Sequence, residues 1–183
     1  MTDEQITSDF IKSFLSETEK KWANCKINIG IYGFQFQVGT KWNPGLSQKE
    51  IDAYQSELGI QFPTDFLAFL KHANGTDLQT VNIYGNNGNP FAYAAGVYSY
   101  PRDMEIIKQR IAWLKQDWDA ALERLELGVD ELGKNPKFIP FYIHRYILSN
   151  GKPSDSIVCS IHGSDAIVYG SNLKEYLKAE LLT

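Results

Sequence analysis

The chain has 183 residues, 43% hydrophobic, 13% aromatic and 22% charged, with a formal net charge of −4. That length suits one domain with a substantial core, and the acidic balance argues against a nucleic-acid surface, which needs clustered Lys and Arg to release counterions. No apolar run approaches the ~20 residues that span a bilayer, and the polar start MTDEQITSDF is not a secretory signal. The two distant cysteines, Cys25 and Cys159, make neither a disulfide framework nor a zinc-knuckle spacing. A cytoplasmic protein with reduced thiols is expected.

Residues Asp3 to Trp22 read as an amphipathic helix with Ile6, Phe10, Phe14 and Leu15 inward; Asp3 and Glu4 suit its start, and Lys20 and Lys21 its end. Ile27, Ile29 and Ile31 alternate with small or polar residues, as do Phe34, Phe36 and Val38. The phase slips at Tyr32-Gly33, so two short strands or one bulged strand are expected. Residues 1–41 are taken as an extension packed on a domain formed by residues 42–183.

The stretch from Trp42 to Gly75 is the best punctuated. Ser47 and Glu50 have capping-box spacing, and Ile51, Tyr54 and Leu58 share one helical face. Gly59 stands where a left-handed C-cap is needed. Pro63 suits the first turn of a second helix with Phe66, Leu67, Phe69 and Leu70 inward, which Asn74-Gly75 should stop. Val81 and Ile83 then mark a strand, GNNGNP (85–90) a turn, and Phe91, Tyr93, Val97 and Tyr98 further short strands.

Ile107, Ile111, Leu114, Trp118, Ala121 and Leu125 recur at steps of four and three, predicting one long helix over about 103–127 that packs across a sheet. GVDELGKNPK reads as a loop. The C-terminal third reads as sheet: an apolar run from Phe138 to Leu148, a turn at SNGKPSD, and an antiparallel pair, Ile157–Ile161 with Ala166–Tyr169. A final helix is capped by Ser171 or Asn172, with Leu173, Tyr176, Leu177 and Leu181 inward.

Chemistry is hard to find in these residues. His72 lies near a helix end, where a cation helps the dipole. In His144-Arg145-Tyr146, strand alternation puts His144 and Tyr146 on one face and Arg145 on the other, which suits a buried, hydrogen-bonded histidine beside an outward arginine. Cys159 and His162 fall on opposite faces of a strand, so a shared metal would need a bulge, and no further ligand pair has metal spacing. There is no G-x-S-x-G elbow and no P-loop. No catalytic residue, cofactor or metal is expected.

Trp42, Gly45, Leu46, Ser47, Glu50, Ile51, Leu58, Gly59, Ile60, Pro63, Phe66, Phe69, Leu70, Asn74 and Gly75 together resemble the opening of the SUKH superfamily domain. The segment from Phe138 to Leu177, with His144, Arg145, Tyr146, Tyr169 and Gly170, is similar to the sheet and last helix of bacterial members. The resemblance implies a single α+β domain, with a twisted, mainly antiparallel sheet packed by several helices. It also implies a non-catalytic protein-binding role: an immunity protein neutralising a toxin effector such as a nuclease, or an adaptor like the fungal cell-wall assembly regulators. Those regulators carry long disordered flanks, which this sequence does not have, so the immunity role is the expected one.

The sequence itself offers one candidate surface. Asp117, Asp119, Glu123, Glu126, Asp130 and Glu131 stand against a single base, Arg124, and Asp119, Glu123 and Glu126 form a stripe beside the apolar seam. Such a stripe reads either as a solvated helix face or as a docking surface for a cationic protein.

Overall fold

The computed structural model describes residues 6–86, 89–116, 118–151 and 156–182. Asp3, Glu4, Asp117, the centre of the 85–90 turn and most of the SNGKPSD turn lie outside these residues, as do the side chains of Phe91 and Trp118.

Helix α1 (Ser8–Ala23) starts later than its apolar pattern suggests, because the Thr7 hydroxyl caps it by accepting the Phe10 amide at 3.2 Å. Its buried face is Ile11, Phe14, Thr18 and Trp22, with Phe10 and Leu15 only half-buried at the margin. Strand β1 (Gly33–Phe36) follows. The expected strand through Ile27, Ile29 and Ile31 is absent. The Gln35 side chain accepts the Asn28 amide and donates to the Asn28 and Ile31 carbonyls, each at 2.8 Å, giving that backbone a local alternative to a ladder. Ile29 and Ile31 are consequently exposed.

Strand β2 (Trp42–Pro44) leads into the paired helices α2 (Gln48–Leu58) and α3 (Thr64–Leu70). The Ser47–Glu50 capping box is complete, and Gly59 ends α2 at φ 64°, ψ 33°. A Cβ at Gly59 would meet nothing within 4 Å, so a substitution there costs backbone strain alone. Gly59→Val is expected to lower stability by about 1–2 kcal/mol, read from a urea-denaturation midpoint; an unchanged midpoint would contradict it.

The second helix stops at Leu70, earlier than expected. Asn74 and Gly75 belong instead to β3 (Ala73–Thr76), paired antiparallel with β2. At Gly75 the φ is +69°, and a Cβ would come within 2.5 Å of the Val97 and Tyr98 carbonyl oxygens, so the residue sits in a crossing of chains rather than at a helix stop. Strands β4 (Thr80–Asn86) and β5 (Asn89–Ala94) form a hairpin that adds to β1 in the order β1-β4-β5.

The expected long helix is two: α4 (Met104–Leu114) and α5 (Trp118–Leu125). A straight 25-residue helix would run about 37 Å, roughly twice the length of the strands it has to cover. Within α4 the burial already passes from one core to the other, Met104 and Ile107 entering the larger and Leu114 the smaller, where Ala121 and Leu125 of α5 join it. A short α6 (Val129–Leu132) occupies the expected loop, its start secured by the Gly128 amide donating to Glu131 Oε2 at 2.7 Å.

Strands β6 (Lys137–Tyr142), β7 (Arg145–Ser149), β8 (Val158–His162) and β9 (Asp165–Gly170) make an antiparallel four-stranded meander. The chain ends in α7 (Leu173–Leu177), capped by the Asn172 side chain, and a π-helical turn (Lys178–Leu182). The α+β architecture is as expected, but the single central sheet is replaced by three antiparallel sheets among the described residues. A strap joins the β2–β3 sheet to the meander: Val97 accepts the Thr76 amide and bridges Tyr142, and the Tyr98 amide donates to Phe141.

The meander has a core on each face, as strand alternation requires. Ile139, Phe141, Ile147 and Val158 join α1, α3 and α7 in the larger one. Phe138, Tyr146, Leu148, Cys159, Ile161 and Ala166 meet Leu114, Ala121 and Leu125 in the smaller. Trp42 anchors α1 to the larger core. Its indole N–H donates to the Thr18 hydroxyl at 2.8 Å, and its ring lies 5.3–5.9 Å from those of Phe14, Trp22 and Phe69.

Candidate functional site

The residues of the paired-helix motif are framework. Trp42, Leu46, Ile51, Phe66 and Leu70 are buried in the larger core, with Leu58 half-buried beside it. Pro63 sets the start of α3, and the Gly45 backbone lies against Lys71 so closely that a Cβ would overlap its carbonyl. Gly170 lies against Tyr176 in the same manner.

The sequence pattern gave no hint of Asp65, the most heavily bonded carboxylate of this framework. It is 2% exposed and accepts the Phe66 amide (2.8 Å), the Ser156 amide (2.9 Å) and hydroxyl (2.8 Å), and the Leu173 amide (3.3 Å). One side chain thus fastens α3, the segment before β8 and the start of α7.

The His144-Arg145-Tyr146 triplet keeps Arg145 and Tyr146 on opposite faces as expected, but Ile143 (φ 53°) and His144 form the hairpin turn between β6 and β7. Arg145 is the inward residue. Its side chain is 12% exposed, bonds Ser160 Oγ at 2.8 Å, pairs with Glu180 at 3.4 Å and stacks 4.1 Å from the Tyr169 ring. Tyr146 is buried on the opposite face, in the smaller core.

His144 is half-buried, with its ring 6.1 Å from that of His162 and 6.2 Å from that of Phe34. Burial, then Arg145, His162 and Arg110, push its pKa from 6.5 down to about 4. A histidine kept neutral in the fold stabilises above pH 6.5; as pH falls towards 4, the unfolded chain gains a proton that the folded one refuses. That loss is on the order of 1 kcal/mol once solvent screening of a partly exposed ring is allowed for. His144→Gln is expected to lose less stability than the parent between pH 7 and pH 5 in urea denaturation; equal losses would contradict the assignment.

Burial pushes the Cys159 thiol up to about 12, away from any nucleophilic thiolate. Both cysteines are free. Among the described residues no three His, Cys, Asp or Glu side chains come together to hold a metal, and no helix is long and apolar enough to cross a membrane.

Two surfaces remain. The first is the outer face of α5. Asp119 and Glu123 are one turn apart, exposed, and make no ion pair among the described residues, while Ala121 and Leu125 hold the opposite face against β9. Glu126 leaves the expected stripe: it lies beyond the helix end with φ 53°, so the helical phase no longer sets its direction. The second is the outer stripe of α4, where Ile106, Arg110 and Trp113 follow at i, i+4 and i+7. Trp113 is 62% exposed there, beside a cleft of about 230 Å³.

A comparison with curated proteins finds no match. A family profile, that of the SMI1 / KNR4 family (SUKH-1), matches residues 45–179, from the turn before α2 into the terminal π-helical turn. The chain therefore belongs to the SMI1 / KNR4 family (SUKH-1), as the paired helices and late sheet segment implied.

Proposed function

We propose that this chain is a non-catalytic immunity protein, which acts in the cytoplasm by binding a toxin effector and blocking it. Domains of its family are in general protein-interacting. The observation that carries the finer reading is the acidic face of α5: Asp119 and Glu123 point outward without an ion pair among the described residues. Two exposed carboxylates on a helix fixed from behind form a surface that attracts a cationic partner and helps to select it. A nuclease effector has that character, because its own substrate is a polyanion.

The test is growth of cells expressing a toxin domain encoded next to this chain, with and without the chain itself. Protection accompanied by a stable complex of the two proteins is the expected result. No protection and no complex would overturn the reading, and recovery of the chain with cell-envelope synthesis proteins would place it with the regulatory adaptors.

A further inference from the structure

We propose that the cleft between α4 and the tip of the β8–β9 hairpin binds a carboxylate side chain of an acidic protein segment, with Arg110 as counter-ion and Trp113 as the platform for a neighbouring apolar residue. Arg110, Trp113 and Gln116 form one wall, Tyr146 and Ile161 the floor, and His162 the far rim. Arg110 is half-buried, with its guanidinium 5.1 Å from the Trp113 ring. It makes no ion pair among the described residues, whereas Arg102 pairs with Asp103 and Arg145 with Glu180. Among the described residues no acid lines the cleft. In a protein of net charge −4, a half-buried cation among aromatic rings, with no carboxylate facing it among the described residues, is a site for an anion.

The size and charge of the cleft select the class of ligand. A volume of about 230 Å³ is smaller than the ~300–1,000 Å³ of pockets for drug-sized ligands and cofactors, and it suits one inserted side chain. A single fixed cation matches the single charge of a carboxylate and is too few for a polyanion. Outside the cleft, Trp113 (62% exposed) and Ile106 (36% exposed) continue along the same stripe of α4 and offer apolar area to the residues flanking the acid. Trp and Arg are the residue types that dominate interface energetics. This surface is opposite in sign to the α5 face and does not depend on it.

The experiment follows the Trp113 indole and Gly163 amide resonances of the full chain during titration with a blocked Ala-Leu-Glu-Leu-Ala peptide. The Gln counterpart of the peptide and inorganic phosphate serve as comparisons. Saturable shifts are expected with the Glu peptide, at least tenfold weaker binding with the Gln peptide, and loss of binding in Arg110→Gln. Trp113→Ala, read at Gly163, is expected to weaken binding about tenfold. Because the Trp113 ring is exposed, that variant keeps the test decisive should Arg110→Gln fail to fold. Equal affinity for the two peptides, undiminished binding in either variant, or phosphate displacing the peptide at equal concentration would overturn the proposal.

Discussion

Asp65→Ala is expected to destabilise the fold by about 3–5 kcal/mol, since each buried donor left without its acceptor costs roughly 1–3 kcal/mol. The carboxylate is 2% exposed and serves the Ser156 amide and hydroxyl and the Leu173 amide, from positions 91 and 108 residues away. Water has little access to take its place, so those donors would be stranded between α3, β8 and α7. Asp65→Asn keeps one acceptor oxygen and is expected to lose roughly half as much. Urea-denaturation midpoints of the two variants measure this. A loss below about 1 kcal/mol for Asp65→Ala would mean that the donors find other partners, and that these elements are held by apolar contact alone.

What the sequence made legible follows the range of each interaction. The Ser47–Glu50 box and the Gly59 cap depend on neighbours within a few residues, and both are present as read. The inward set of the last helix, Leu173, Tyr176, Leu177 and Leu181, is likewise buried as its spacing implied. The break between α4 and α5 was hidden because the apolar seam runs through it without a slip, from Leu114 before it to Ala121 and Leu125 after it, all in one core. Arg145 reads as outward when one face of the strand meets solvent, whereas the meander buries both faces, and the turn takes His144 out of the strand. Asp65 stands in the first turn of α3, and no local pattern points from it to Ser156. At the candidate surface, Asp119 and Glu123 were legible from helical spacing, whereas Glu126 was not, since the helix ends before it. The Arg110–Trp113 cleft needs the β8–β9 tip as its far wall, a contact between distant segments.

Reversing the α5 face is expected to have the largest functional effect. Asp119→Lys with Glu123→Lys replaces two exposed acids by bases, a local change of four charges, while Ala121 and Leu125 continue to hold the helix. Lysine is a good helix former, so the fold should survive. Electrostatic steering raises association rates well above the ~10⁵–10⁶ M⁻¹s⁻¹ of neutral encounter and fades as the Debye length shrinks from ~10 Å at 0.1 M salt to ~3 Å at 1 M. Reversal is therefore expected to slow association with a cationic effector by roughly tenfold or more at low salt, and much less at high salt. Cells expressing the effector should be protected less well by the variant.

The measurement that bears most directly on the immunity role is the association rate of parent and double-Lys proteins with the neighbouring toxin domain, at low salt and at 1 M salt. A parent rate that falls with salt, and a variant rate at least tenfold lower than the parent's at low salt but converging with it at high salt, is the predicted result. Equal, salt-independent rates for the two proteins would contradict it.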